Sequence, residues 1–261
     1  MKLSVFMPTI RTHLHQVWYD SLEASCDRHD FEVVMCGPFQ PPDSILSKTN
    51  VTWVKSFASP TVCAQLAAIA CNGEYLLHSV DDALYIPHVV SDELDTITDN
   101  EIRGMRYREG VNYNGHELPL TYWYCSTAFR GHQIINPNWI HCVHFLVSTK
   151  IFIDTGGFDC KYQYLNESEH DWSFRSTYHL GLINSLSKST ITSCSWQEGK
   201  TGDHSSIHNA QIYHDQPLFA ANWKDSVPDL VIDINNWKKQ PDIWKRFTGS
   251  ENNYSDLPQN M

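Results

Sequence analysis

Short apolar runs alternate with segments of helical spacing over the first 87 residues of the chain. Four runs have the length and polarity of strands: residues 3–7, 31–36, 51–54 and 74–80. Two intervening segments repeat apolar side chains every three or four positions: Leu14, Val17, Trp18 and Leu22, then Val62, Leu66 and Ile69. Ser59 followed by Pro60 is typical of a helix start. Strands alternating with helices predict an α/β fold of three layers, with a central, mostly parallel sheet flanked by helices.

The pattern is less regular after residue 87. Further strands are predicted at residues 103–107, 120–125 and 145–147. Ser148 can cap a short helix that Gly156 and Gly157 terminate. Another helix is predicted from about Glu169 to Leu180, because Gly181 follows it.

The chain becomes polar and proline-containing from residue 225 onward. We therefore expect one domain over residues 1–224 and a C-terminal tail, residues 225–261, that packs on it and is frayed beyond about Thr248. Strands of a parallel sheet present ligand sites at their carboxyl ends. Residues 8–11, 36–38 and the pair Asp81–Asp82 are expected to meet at that edge.

Charge, cysteine spacing and hydropathy indicate which partners and which compartment to expect. The chain has 19 Lys and Arg against 30 Asp and Glu, a formal net charge of −11, with no basic cluster. Such a field repels phosphate backbones, so nucleic acid is not an expected partner. The eight cysteines lack a C-x-x-C spacing, and no apolar segment approaches the roughly 20 residues of a transmembrane span. We expect a cytoplasmic protein with no transmembrane segment.

Asp81 and Asp82 carry the clearest chemical signal in the chain. They follow the apolar run of residues 74–80 directly. Two adjacent carboxylates at a strand end are costly unless a cation lies between or in front of them. The sequence therefore predicts a divalent metal ion at this position, and a solvated acidic turn is the alternative.

Several motifs occur in the order found in a known enzyme family. They are residues 3–9 (LSVFMPT), 31–35 (FEVVM), 73–77 (GEYLL) running into Asp81–Asp82, 156–159 (GGFD) and 169–175 (EHDWSFR). In content and order, over residues 3 to about 181, the chain resembles the family 2 glycosyltransferases of the GT-A type. The resemblance implies a GT-A-type fold. It also implies a metal-dependent transferase that moves a sugar from a nucleotide-diphosphate sugar to an acceptor hydroxyl, with inversion.

The resemblance also assigns roles to individual residues. It places Pro8 and Thr9 near the nucleotide, Gly157 at the sugar and Gln65 at the position of a helix Asn. It makes Asp82 and Asp81 ligands of Mn²⁺ or Mg²⁺, with Asp81 alternatively contacting the ribose. His204 lies in a loop that can close over the diphosphate, in the region where related enzymes sometimes supply a histidine ligand. It is a further candidate metal ligand, with a solvated loop histidine as the alternative, and imidazole favours Mn²⁺. Glu169 is the catalytic base and Asp171 the alternative. Arg11 can approach the diphosphate or the base from the first loop.

The chain departs from the family pattern at two points. Cys36, Gly37 and Pro38 stand where an Asp often pairs with uracil, so a UDP-sugar and a GDP-sugar both remain possible donors. Ala83 replaces a third acid of the metal motif. The acceptor is a glycan or another hydroxyl compound. Two other functions stay open: a non-catalytic nucleotide or carbohydrate binder, and a sugar nucleotidyltransferase, for which residues 8–11 supply little of the required Gly-rich basic loop.

Overall fold

A nine-stranded mixed sheet forms the centre of the molecule. The computed structural model describes residues 1–111, 117–123, 128–129, 132–133, 144–176, 182–193 and 209–222. Within these residues the strands are β1 (Leu3–Pro8), β2 (Phe31–Gly37), β3 (Val51–Lys55), β4 (Tyr75–His78), β5 (Ala83–Leu84), β6 (Glu101–Val111), β7 (Glu117–Trp123), β8 (Ala128–Phe129), β9 (His132–Gln133), β10 (Phe145–Ser148) and β11 (Ile183–Ser193). The sheet has the order β3-β2-β1-β4-β10-β6-β11-β5, β7 pairs with β6, and β8 and β9 form a separate pair.

Most of the central strands run in one direction. β1 is parallel to β2 and β4, β2 is parallel to β3, and β6 is parallel to β11. β10 is antiparallel to both of its neighbours, β4 and β6. Six strands of the described sheet, β1 to β4, β6 and β11, therefore share a direction, with β10 reversed among them. The predicted α/β fold with a mostly parallel central sheet is confirmed.

Helices cover both faces of this sheet. They are α1 (His15–Ser25), α2 (Asp43–Leu46), α3 (Pro60–Ile69), α4 (Val89–Leu94), α5 (Thr149–Asp154), α6 (Leu165–Phe174) and α7 (Gln216–Asn222). Trp18 and Leu22 of α1 pack with Val5 on one face. Phe152 of α5 and Trp172 of α6 pack with residues of α3 in a second cluster, on the other face. Among the described residues, no helix combines the length and the apolar character needed to cross a bilayer.

The local signals for helix starts are confirmed at two places. Ser59 accepts a hydrogen bond from the Val62 amide at 3.4 Å and begins α3. Ser148 does the same for Ile151 at 3.3 Å and begins α5. The prediction for the following helix was wrong at its start, because α6 begins at Leu165, four residues before Glu169.

A late segment of the chain fastens the start of α6. Asp215 lies in the π-helical stretch Gln211–Asp215, just before α7, and is fully buried. Its carboxylate accepts hydrogen bonds from the amides of Gln163 at 3.0 Å and Tyr164 at 2.6 Å. These are the amides that directly precede the first turn of α6, so residues 209–222 belong to the same packed unit. The predicted tail, residues 225–261, lies outside the described residues.

Gly156 and Gly157 end the α5 region in the left-handed conformation, with φ of 81° and 61°. A Cβ on Gly157 would lie 2.5 Å from Oε1 of Gln65 and 2.8 Å from a ring carbon of Phe152. Both the backbone conformation and the contacts therefore require glycine here. This turn directs the chain from α5 back toward α3.

Replacing Gly157 with alanine is expected to destabilise the protein by about 2 kcal/mol, because it adds a strained φ to a steric clash in the core. Urea unfolding measures the change. Lys150→Ala is the control, since Lys150 makes an exposed ion pair with Asp154 and its loss should cost less than about 0.5 kcal/mol. Equal midpoints for the two variants would contradict the argument.

Candidate active site

The carboxyl ends of three parallel strands meet at one edge of the sheet, as expected from the sequence. The Thr9 amide, just after β1, donates to the Cys36 carbonyl at 2.9 Å, and the Ser79 amide, just after β4, donates to the Phe6 carbonyl at 3.0 Å. A Cβ on Gly37 would lie 1.9 Å from the Thr9 carbonyl oxygen. The loop after β1 is thus held closely against the end of β2.

Asp81 organises that loop. Its Oδ2 accepts three hydrogen bonds, each of 2.9 Å, from the Thr9 hydroxyl and from the amides of Ile10 and Arg11. Its Oδ1 accepts a fourth from the Arg11 guanidinium at 2.8 Å. Only 3% of Asp81 is exposed. One buried carboxylate therefore fixes three consecutive residues that lie about 70 positions earlier in the chain.

The charge of Asp81 is stabilised by these donors. Burial alone would raise the pKa of its carboxyl. The positive charge of Arg11 and the bonds from Arg11, Ile10 and Thr9 outweigh burial, so the pKa of Asp81 lies below its usual value. The same guanidinium lies 3.6 Å from Oδ2 of Asp82, which is also buried. Arg11 is thus a cation in contact with both carboxylates of the pair.

A histidine that the sequence analysis missed supports the same loop. The Nε2 atom of His15, at the start of α1, lies 2.6 Å from the Thr9 hydroxyl oxygen. Because that hydroxyl donates to Asp81, the imidazole Nε2–H is the donor in this contact. Burial is the main cause that lowers the pKa of His15. The neutral ring therefore continues a hydrogen-bonded chain from His15 through Thr9 to Asp81.

Glu169 lies at the same edge as the aspartate pair. Its Oε1 is 3.6 Å from Nδ1 of His78, and only 2% of Glu169 is exposed. His78 is the last residue of β4 and precedes Asp81 by three positions. The fold therefore brings the predicted base and the predicted donor site to one edge.

Tyr164, at the start of α6, interacts electrostatically with acids on both sides of the site: Glu169 and Glu167 on α6, and Asp82 after β4. Burial, followed by the negative charges of Glu169 and Glu167, raises the pKa of its phenol to about 12. Arg11 acts in the opposite direction and Asp82 adds to the increase. The phenol therefore lies within electrostatic reach of both halves of the site and stays protonated as a hydrogen-bond donor at neutral pH.

Asp171 has a different environment, although it is only two residues from Glu169. Its Oδ2 accepts a hydrogen bond from Nε of Arg175 at 2.7 Å, and both side chains are 1% exposed. The other guanidinium nitrogens of Arg175 donate to the carbonyls of Thr155 at 2.7 Å and Gly157 at 2.6 Å. Asp171 thereby helps tie α6 to the glycine turn.

Gln65 is fully buried and supports the same turn. Its Oε1 accepts a hydrogen bond from the Phe158 amide at 2.8 Å, and its Nε2 lies 3.5 Å from the Gly156 carbonyl. Gln65 of α3 therefore supports the loop that contains Gly157. That either residue contacts a nucleotide-sugar donor stays a prediction.

The predicted metal ligands are only in part among the described residues. His204 lies outside them. Within the described ranges, no three His, Cys, Asp or Glu side chains are arranged to hold one metal ion. Asp81 and Asp82 are adjacent, but the cation that contacts both is Arg11. The metal site stays a prediction.

Sequence reasoning missed the residues that support the site: His15, His78, Tyr164 and Arg175. His78 did carry a signal, since it is the one ring nitrogen donor in an otherwise apolar run, residues 75–78. A polar side chain inside a buried strand needs a partner, which indicates a function or a buried network. Tyr164 carried no comparable signal.

Solved structures share this fold. The S. aureus TarS 1-349 fragment matches with a TM-score of 0.57 at 15% identity, over 95% of this chain and 73% of that chain. The same fragment in complex with UDP-GlcNAc gives a TM-score of 0.59 at 15% identity, over 88% of this chain and 68% of that chain. A match to the longer TarS structure covers 41% of that chain. No family model and no curated protein sequence matches the chain. The likeness shows a common GT-A-like α/β fold.

Replacing Asp81 with asparagine is expected to destabilise the protein by about 3 kcal/mol, because Arg11 then loses its buried partner. Asp92→Asn is the control and should cost clearly less, because Asp92 makes an exposed ion pair with Arg28. Chemical unfolding of both variants measures the difference.

The stabilisation from Asp81 should also depend on pH in one direction. Because the folded-state pKa of Asp81 is lowered, its contribution is present above the unfolded value of 3.8 and is lost as pH falls through the folded-state pKa. The stability difference between the wild type and Asp81→Asn should therefore be constant near neutral pH and shrink below about pH 4. A difference that instead grows in acid would contradict this assignment.

Proposed function

We propose that the protein is a glycosyltransferase that moves a sugar from a nucleotide-diphosphate sugar to an acceptor hydroxyl. One observation supports this proposal most directly: Glu169 and the Asp81–Asp82 pair, from distant parts of the chain, lie at one edge of the sheet. A fold shared with TarS, which has been crystallised with UDP-GlcNAc, supports a nucleotide-sugar donor. A UDP-sugar is the first candidate donor, and a glycan or another hydroxyl compound is the acceptor.

The donor side of the site is the loop that Asp81 holds. Thr9 and Arg11 are fixed there by buried hydrogen bonds, so their positions do not depend on a ligand. A preorganised cation such as Arg11 can stabilise the charge that develops on a departing diphosphate without reorganisation. The rigid loop therefore supports a role for Arg11 at the diphosphate.

Asp82 is the first proposed ligand for Mn²⁺ or Mg²⁺, because the two oxygens of Asp81 already accept four hydrogen bonds. When bound, the ion would neutralise diphosphate oxygens as a Lewis acid. Further ligands, including the proposed His204, would come from outside the described residues. Metal dependence is thus part of the proposal.

Glu169 is the proposed base. In the reaction, the acceptor oxygen attacks the anomeric carbon and gives up its proton to the Glu169 carboxylate. The bond between that carbon and the diphosphate oxygen breaks, and its electron pair leaves with the diphosphate. A single displacement of this kind inverts the anomeric centre. Asp171 is the less suitable base because its carboxylate is bonded to Arg175.

Glu169→Gln is expected to lower kcat by roughly 100-fold or more, because proton removal from the acceptor is lost. The KM for the donor should change little, since the amide keeps the shape of the side chain. Initial rates with a panel of UDP- and GDP-sugars and an acceptor library measure this. Asp171→Asn is the comparison, and its main effect should be lower stability. Loss of kcat in Asp171→Asn with normal activity in Glu169→Gln would exchange the two roles.

A nucleotide sugar is expected to raise the melting temperature of the wild type more with Mn²⁺ than with chelator, because bound ligand stabilises the folded state. Asp82→Asn should lose this metal-dependent increase. Asp92→Asn, at an exposed ion pair with Arg28, is the control and should retain it. If nucleotide sugars stabilise the protein but none of the donors is turned over, the protein is a non-catalytic binder instead.

A further inference from the structure

His78 is an unusual residue for its place in the fold. It ends β4 with no exposed surface, after the apolar residues Tyr75, Leu76 and Leu77. A buried imidazole in such a strand is costly unless its polar atoms are used. Its Nδ1 lies 3.6 Å from Oε1 of Glu169. A contact of this length falls just outside hydrogen-bond range, and shortening it by about 0.6 Å would close it.

Three aromatic rings hold the imidazole in place. The ring of Phe145 stacks on it, with centroids 5.3 Å apart and planes at 27°. Phe158 meets it edge-on at 5.3 Å, and Phe6 lies at 5.0 Å. Side chains locked by packing on several sides define the orientation of the groups they contact. The direction of the His78 Nδ1 atom is therefore set by the core.

A second buried histidine lies behind His78. The ring of His144 makes a hydrogen bond to the main chain of His78. Burial, followed by the charge of His78, lowers the pKa of His144 to about 3, and the hydrogen bond opposes this only in part. His144 is thus neutral near neutral pH.

Other charged or titratable groups lie on or next to α6 and on the loops that follow β1 and β4. They are Tyr164, Glu167, His170, Asp171, Arg175, Arg11 and Asp82. Asp171 and Arg175 bond to each other. Tyr164 keeps its proton, because its pKa is raised to about 12. His78 is fixed by the aromatic core, and its Nδ1 approaches Glu169 from the side of the sheet.

Resting on the proposed function, we infer that His78 is a positioning residue for the catalytic base: its Nδ1–H donates to Glu169 and directs that carboxylate toward the acceptor hydroxyl. Catalytic hydrogen bonds are often long before substrate binds and shorten in the reacting complex. His78 precedes Asp81 by three residues on the same strand end. One segment therefore holds the base and the donor loop in a fixed relation.

The test is the kinetics of His78→Phe and His78→Asn. The Phe ring fits among the aromatic neighbours but has no donor, so kcat should fall roughly 10- to 100-fold while the donor KM stays within about threefold. The acidic limb of the pH–rate profile should move to higher pH, because a buried carboxylate without a donor is harder to ionise. His78→Asn restores a donor and should recover part of kcat.

His144→Phe is the packing control, because it alters the core next to His78 and leaves the His78 side chain in place. Circular dichroism verifies folding of each variant. In the Glu169→Gln background, His78→Phe should have no further effect on kcat, as expected for residues that act as one unit. A normal kcat in His78→Phe would overturn the inference. The inference would also be overturned if His78→Phe and His144→Phe lowered kcat equally and neither changed the pH–rate profile.

A measurement without substrate separates this inference from the proposed function. In ¹⁵N-histidine-labelled protein, the Nδ1 resonance of His78 should differ between the wild type and Glu169→Gln, and should stay in place in Asp92→Asn, which alters an exposed ion pair with Arg28. If it moves but no donor is turned over, the proposed function fails and the contact stands. If it does not move, the positioning role fails even for an active enzyme.

Discussion

The hydrogen bonding of one buried carboxylate determines the arrangement of the candidate site. Asp81 has its charge stabilised by a hydroxyl, two backbone amides and a guanidinium, all from the segment Thr9–Arg11. An ionised carboxylate cannot be buried without such donors, and the loop after β1 cannot keep this shape without an acceptor. The two requirements are met together. The ends of β1 and β4 are consequently held in one arrangement before any ligand binds.

The second half of the site is built with similar means on α6. Arg175 joins Asp171 to the carbonyls at the glycine turn, and Gln65 holds the same turn from α3. These buried bonds set the depth and rotation of the helix. As a result, Glu169 faces His78 at the end of β4. Glu169 and Asp171, two residues apart on α6, thus have different roles: Asp171 supports the fold and Glu169 faces the site.

Local signals in the sequence predicted much of the fold, and pairings between distant segments account for what they missed. The first three parallel strands, the caps at Ser59 and Ser148 and the Gly156–Gly157 turn follow from propensities within a few residues. The reversed position of β10 between β4 and β6 depends on partners that the local pattern does not name. β11 (Ile183–Ser193) is rich in polar residues and shows no clear strand pattern, so its pairing with β6 could not be predicted. The early start of α6 depends on Asp215, 50 residues later in the chain.

The same limit applies to the chemistry of the Asp81–Asp82 pair. Electrostatics correctly requires a cation beside two adjacent buried carboxylates, but it does not specify which cation. In the folded chain Arg11 lies 2.8 Å from Asp81 and 3.6 Å from Asp82. The free protein therefore carries its own counter-charge, supplied from 70 residues away. A metal ion arriving with a diphosphate would meet Asp82 in the field of this guanidinium. Positive charge on both the ion and Arg11 would lower the affinity for the ion alone and favour its binding together with the anionic donor.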